Sequence, residues 1–225
     1  MLLLGIDTSG RHGSIALARG NPDSFDVLEV VELAGGTYSA RLIPGLIGLL
    51  QRQGVSRHDL EGFAIVSGPG SFTGLRVGLS AVKGLAEILR RPIAAVSMLE
   101  AIVAQSNHDG GTVAAIDAGR KEIFAGEYEV RGGEARPTRE LLLTYPQFVA
   151  LMDANATAQL ITPESEVADL VPMHLRVKQI DWPNAGEIAR LGYAKIQAGQ
   201  TVTPAALEAN YIRRSDAEIF SKPGS

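Results

Sequence analysis

The stretch Leu2-Leu3-Leu4-Gly5-Ile6-Asp7-Thr8-Ser9-Gly10 decides how this chain folds. Apolar residues lead into an aspartate and a turn of small residues, which predicts a buried strand entering a hairpin. A similar stretch, Val113-Ala114-Ala115-Ile116-Asp117-Ala118-Gly119, places its aspartate 110 positions later. Each stretch is followed by a predicted returning strand, at 14–18 and at 122–130. Two unrelated hairpins with similar turns are the alternative, but repetition at half the chain length indicates a duplicated α/β unit.

Composition restricts the class of protein. The 225 residues carry a net charge of −4, with 45% hydrophobic and 20% charged residues, which is typical of a globular protein. A mildly acidic chain is a poor stand-alone binder of nucleic acid. The chain has no cysteine, which excludes disulfides, thiolate zinc sites and a cysteine nucleophile. The start resembles no signal peptide and no apolar run is long enough to cross a membrane, so we expect a cytoplasmic protein.

One loop stands out as a motif. It joins a predicted strand at 63–67 to a predicted helix at 73–89, and helix N-termini favour anions. Its residues fit neither the P-loop pattern nor the dinucleotide-binding pattern, so we favour a structural role for its glycines. The loop consists of Gly68, Pro69, Gly70, Ser71, Phe72, Thr73 and Gly74.

Residues that could bind a cofactor are few. Backbone N–H groups of an aspartate turn can face a phosphate, which makes Asp7, Thr8, Ser9 and Asp117 weak candidates; good turn-forming residues are the alternative interpretation. The four histidines are scattered, and none pairs with another at i, i+4. Glu100 could join the two aspartates around Mg²⁺, but it also fits a helix capping box. We therefore predict no metal and no cofactor.

Two predicted helices, at 37–53 and 73–89, are more apolar than surface helices need to be. The first has no charge between Leu42 and Leu50, and the second confines its charges to a narrow stripe. Such helices are either enclosed within one fold or form a surface that binds a partner. Composition alone leaves both possibilities open.

These residues resemble the TsaB (YeaZ) family. The resemblance rests on Leu4-Gly5-Ile6-Asp7-Thr8-Ser9, on Gly68 to Leu79 and on Lys83-Gly84-Leu85-Ala86, with support from 92–104, 115–118 and the tail Asn210-Tyr211-Ile212-Arg213. It covers the first 130 residues well and the remainder loosely. It implies an α/β fold of the actin/hsp70/sugar-kinase type (ASKHA) with two duplicated ribonuclease-H-like halves, which we place at 1–109 and 110–225.

The resemblance also implies a function. Members of the family take part in forming threonylcarbamoyladenosine in tRNA, as a non-catalytic partner of the metalloenzyme TsaD and together with the ATPase TsaE. The catalytic relatives carry His-Leu-Glu-Gly-His in a segment that here reads Met98-Leu99-Glu100-Ala101-Ile102. Met98 and Ile102 replace the two metal ligands, and a thioether is a weak ligand while an isoleucine is none. We therefore expect a pseudo-enzyme.

In the family, the first two helices pack against the partner, which favours the partner-binding interpretation of the apolar helices. The expected interface comprises Tyr38, Leu42, Ile43, Leu46, Leu75, Arg76, Leu79 and Val82. We expect a heterodimer with a TsaD-type subunit, a homodimer when the chain is alone, and contact with tRNA only through the complex. Two small basic clusters, Arg120-Lys121 and Arg213-Arg214, could touch phosphate there. The alternative function is an ATP-dependent phosphotransferase or hydrolase of the same fold.

Overall fold

The chain forms two five-stranded sheets that share the same strand order. The computed structural model describes residues 1–106 and 108–212, so Arg213 and Arg214 lie outside the described residues. The first sheet consists of β1 (Leu2–Asp7), β2 (His12–Gly20), β3 (Phe25–Ala34), β4 (Gly62–Gly68) and β5 (Ile93–Ser97). Its order is β3-β2-β1-β4-β5, with β1, β2 and β3 antiparallel and β4 and β5 parallel to β1.

The second sheet repeats this arrangement. Its strands are β6 (Gly110–Gly119), β7 (Glu122–Arg131), β8 (Glu134–Thr144), β9 (Gln159–Thr162) and β10 (Arg176–Gln179). They lie in the order β8-β7-β6-β9-β10, with the same pattern of antiparallel and parallel neighbours as the first sheet. The repetition confirms the predicted α/β fold of the actin/hsp70/sugar-kinase type with duplicated ribonuclease-H-like halves.

The helices connect and cover the strands. They are α1 (Tyr38–Arg52), α2 (Phe72–Leu89), α3 (Met98–Val103), α4 (Tyr145–Ala154), α5 (Ser165–Ala168) and α6 (Ala185–Gln197), with a 3-10 turn at Arg57–Asp59. Among the described residues, no helix has the length and apolar character needed to span a membrane.

The first sheet is covered on both faces. A Cβ added to Gly45 of α1 would contact Ile15 on β2, whereas Ser14, the preceding residue on β2, accepts a hydrogen bond from the backbone N–H of Ala185 in α6. Neighbouring residues of a strand point to opposite faces, so α1 and α6 lie on opposite sides of this sheet. On the α6 side, the glycine at position 5 leaves room for the carbonyl oxygen of Ala185, which would be 2.1 Å from an added Cβ.

The chain divides into two units at positions that differ from the predicted boundary between 109 and 110. The first unit contains Met1–Ala101 and Trp182–Ala209, and the second contains Ile102–Asp181 together with 210–212 of the described residues. Helix α6 was predicted within the C-terminal half but packs on β1, β2, β4 and β5 of the first sheet. The reason is close packing, since Gly192 of α6 has no side chain where Ala64 of β4 approaches.

The core of the second unit lies between its sheet and the helices α4 and α5. It includes Phe148, Met152, Leu160 and Val167, all with almost no exposed surface. Strand β8 was not predicted because its charged residues hide the alternation of a half-buried strand. As an edge strand it tolerates Pro137, and its pairing with β7 holds it in the sheet.

Candidate functional site

The turn that follows β1 is held tightly by the chain itself. Both the backbone N–H and the hydroxyl of Ser9 donate to Oδ1 of Asp7, at 2.8 and 2.7 Å. The hydroxyl of Thr8 donates to the carbonyl oxygen of Gly74 at 2.8 Å, and the N–H of Ser71 donates to the carbonyl oxygen of Ser9 at 2.6 Å. The polar side chains of this turn therefore bind other groups of the first unit.

The glycines of the motif explain how α2 approaches this turn so closely. A Cβ added to Gly74 would lie 2.0 Å from the carbonyl oxygen of Thr8, and one added to Gly78 would lie 2.4 Å from the Thr8 hydroxyl oxygen. A Cβ on Gly70 would meet the carbonyl oxygen of Ser9 at 2.4 Å. These distances are too short for any side chain, so the glycines dock the start of α2 onto the turn.

The start of α2 uses its own N–H groups as well. Ser71 is the N-cap, its side chain accepts from the N–H of Gly74, and its carbonyl oxygen accepts from the N–H of Leu75. The N–H of Ser71 donates to Ser9, so the N–H groups of Ser71, Gly74 and Leu75 all have acceptors within the protein. This geometry agrees with the structural role that we favoured for the motif.

Burial in this turn shifts the pKa values of Asp7 and of the neighbouring Tyr38. The side chain of Asp7 is buried, and burial raises its pKa from the ordinary 3.8 to about 6, although the bonds from Ser9 lower it. Tyr38, the first residue of α1, closes the turn by donating its hydroxyl to the carbonyl oxygen of Gly10. Burial and the nearby Asp7 raise the pKa of Tyr38 to about 12, so the phenol stays protonated and can donate.

The equivalent turn of the second unit is open. Asp117 is exposed, its N–H donates to a carboxylate oxygen of Glu164 at 2.5 Å, and the hydroxyl of Tyr145 lies 3.4 Å from its Oδ1. The hairpin turns at Arg120 and Lys121, which both have positive φ. The structure thus places the four cofactor candidates in two different environments, one enclosed and one accessible.

The two positions that we expect to replace metal ligands, Met98 and Ile102, are buried. Met98 begins α3 and Ile102 lies one turn later, and both have essentially no exposed surface. Across residues 1–106 and 108–212, no group of three or more His, Cys, Asp or Glu side chains is arranged to hold a metal ion.

The structure corrects which sides of α1 and α2 face solvent in the predicted interface. Six of its residues are at most 6% exposed, so their side chains belong to the chain's own core and offer no surface to a partner. They are Tyr38, Leu42, Leu46, Leu75, Leu79 and Val82. Only Ile43 and Arg76 of the predicted set face solvent.

The exposed apolar surface lies on the other side of the same helices. On α1, Ile43 and Ile47 are 46% and 52% exposed; on α2, Phe72 is 38% exposed and the guanidinium of Arg76 stacks 3.7 Å from the centre of its ring. We call these four residues the outer face. Ile47 was missed, and a helical projection of α1 could have found it, because Ile47 lies about 130° from the centre of the stripe formed by Leu42, Leu46 and Leu49.

Comparisons with known proteins agree with the fold. A family model described as "TsaD: tRNA N6-adenosine threonylcarbamoyltransferase" matches residues 30–171. The TsaB protein of Bacillus subtilis is 35% identical over 134 residues, covering 59% of this chain and 57% of that protein. The TsaB protein of Haemophilus influenzae is 27% identical over 226 residues, covering 95% and 94%.

Solved structures give the same result. YeaZ from Pseudomonas aeruginosa superposes with a TM-score of 0.77 at 26% identity, covering 93% of this chain and 99% of the other. The matched part spans little more than half of the Bacillus relative and nearly the whole of the Haemophilus relative and the Pseudomonas structure. The chain belongs to the TsaB (YeaZ) family, within the wider group of proteins that the TsaD model describes.

Proposed function

We propose that this chain is a non-catalytic subunit in the formation of tRNA threonylcarbamoyladenosine. In this role it binds and activates a TsaD-type metalloenzyme, a TsaE-type ATPase joins them, and tRNA is reached through the complex. The names of its relatives support the pathway, since the Bacillus and Haemophilus proteins are tRNA threonylcarbamoyladenosine biosynthesis proteins. The proposal places the chain in the cytoplasm, as a homodimer when no partner is present.

The observation that carries the proposal is the outer face. From Leu42 to Gln51, α1 contains no charged residue, although one side of this helix faces solvent. Ile43 and Ile47 leave about half of their surfaces exposed, and removing such apolar surface from water favours association with a partner. Phe72 with Arg76 adds an aromatic residue and an arginine, two residue types enriched in interfaces.

The non-catalytic role is supported by the chemistry of α3. The family's metal-binding relatives use two histidines one turn apart, and here these positions hold the side chains of Met98 and Ile102, packed in the core. Neither side chain can deliver a hard ligand to a divalent cation. In this proposal, the TsaD-type partner therefore carries out the threonylcarbamoyl transfer.

Replacing Ile47 with glutamate tests the proposed interface. The charge should weaken binding to a purified TsaD-type subunit by about 30-fold or more, because hot-spot residues contribute about 2 kcal/mol or more. The isolated variant should remain folded, since the site is exposed. Met173→Glu is the matched control, because Met173 is fully exposed in the second unit and its replacement should leave binding unchanged.

Three readouts separate the possibilities. Isothermal titration with the TsaD-type subunit measures binding, light scattering of the chain alone measures the homodimer, and tRNA modification with and without the chain measures activation. Unchanged affinity in both Ile43→Glu and Ile47→Glu would remove the outer face from the interface. Heat of ATP–Mg²⁺ binding by the isolated chain that disappears in Asp7→Ala would instead favour the phosphotransferase or hydrolase.

A further inference from the structure

A groove of about 370 Å³ lies at the C-terminal end of α2, away from the outer face. One wall is the end of the helix with Glu87, Arg90 and Arg91, and the other wall is the segment from Thr201 to Pro204. Both walls belong to the first unit. Neither the family resemblance nor the proposed function uses this groove.

The second wall is anchored to the first sheet. The N–H of Val202 donates to the carbonyl oxygen of Ile93 at 2.9 Å, in an isolated antiparallel bridge at the edge of β5. Thr201 and Thr203 flank Val202, so an extended backbone directs both hydroxyls to the same side of the segment. The hydroxyl oxygen of Thr203 accepts from the N–H of Ala206 at 3.2 Å, which leaves its proton available to donate.

The first wall supplies two positive charges. Arg90 is the C-cap of α2 and adopts the left-handed conformation, with φ of 53°, where glycine is the usual residue. An L-residue in this conformation costs about 1 kcal/mol or more relative to glycine. Within the described part of the chain, neither Arg90 nor Arg91 forms an ion pair, and Glu87 pairs with neither of them.

We propose that this groove binds a phosphate group. The guanidinium groups of Arg90 and Arg91 and the hydroxyls of Thr201 and Thr203 are hydrogen-bond donors. A guanidinium group can donate two parallel N–H bonds to two oxygens of one phosphate. Glu87 and the partial negative charge at the end of α2, about −0.5, oppose an anion, but two full positive charges exceed them. The ligand is either a free phosphate or a phosphodiester of RNA, and the second source would give the chain a contact of its own with tRNA.

The test uses the isolated full-length chain and two ligands, inorganic phosphate and a tRNA transcript. The double variant Arg90→Gly/Arg91→Gln should weaken phosphate binding by about tenfold or more, measured by titration calorimetry or NMR. If RNA is the source, the affinity for tRNA should fall too, and the slope of log K against log salt should decrease by about 2. Loss in the phosphate arm alone would identify a free phosphate as the ligand.

Two controls keep the proposal open to refutation. Arg57→Gln removes an exposed arginine outside the groove, and an equal effect from this variant would show that binding is diffuse and overturn the proposal. Arg90→Gly should not lower thermal stability, because glycine fits the left-handed position. If neither ligand responds to the double variant while its stability falls, the two arginines only stabilise the helix end, and the proposed site does not exist.

Discussion

The two halves of this molecule share a strand order but differ in the helices placed on it. Between the last two strands, the first half inserts α2 with 18 residues, whereas the second half inserts α5 with four. The pairing of β1 through β5 is reproduced by β6 through β10, so the sheets do not require the long helix. The additional helical surface is specific to the first half, and this half carries the outer face.

The aspartate turns show the consequence of this difference. In the first half, α2 begins against the turn, and Asp7, Thr8 and Ser9 are all at most 4% exposed. In the second half, α5 is too short to cover the corresponding turn, and Asp117 faces solvent. The same aspartate turn is therefore buried against α2 in the first half and accessible to solvent in the second half.

We expect the largest loss of stability from Gly74→Ala, because it disrupts the contact between α2 and the first aspartate turn. The new methyl group would overlap the carbonyl oxygen of Thr8, and we expect a loss of about 3 kcal/mol or more in the free energy of unfolding. Gly84→Ala is the control in the same helix, where nothing lies within 4 Å of the added Cβ. That variant should be more stable by about 0.5–1 kcal/mol. Urea denaturation measures both, and equal effects would contradict the proposed docking.

The substitution Asp7→Asn tests the burial of the first turn through pH. Unfolding lowers the pKa of Asp7 from about 6 toward 3.8, so between these values the folded state holds more protons and stability falls as pH rises. The asparagine variant avoids this loss and should exceed the parent by up to about 3 kcal/mol at pH 8, with the difference vanishing below pH 4. Asp117→Asn, at the exposed turn, should change the stability by less than about 0.5 kcal/mol at pH 8.

The two tyrosines that begin α1 and α4 give the smallest expected effect. Tyr38→Phe removes the donor to the carbonyl oxygen of Gly10 and should lower stability by about 1–2 kcal/mol. Tyr145→Phe removes a longer bond to Asp117 in an accessible setting and should change stability by less than about 0.5 kcal/mol. Thermal unfolding of both variants measures the two losses of stability. A larger loss in Tyr145→Phe than in Tyr38→Phe would show that the second turn is the more constrained one.

Part of the fold could be predicted from local patterns. The hairpin at Asp7, its repeat at Asp117 and helix α2 follow from apolar runs, turn residues and a helix N-cap within a few positions. Strands β8 and β10 were missed because they are edge strands whose polar residues lack a clear period. Their position depends on hydrogen bonds to β7 and β9, which lie elsewhere in the sequence.

The sequence by itself determined the family, the duplicated α/β architecture and the excess apolar character of α1 and α2, because these depend on residue types and short spacings. Tertiary structure decided which side of each helix is exposed, with Leu42 packed in the core and Ile43 in solvent. It also decided that α6 covers the first sheet and that Arg90 faces Thr203 across a groove. These features arise from contacts between distant segments, where packing of glycines and small side chains selects the arrangement.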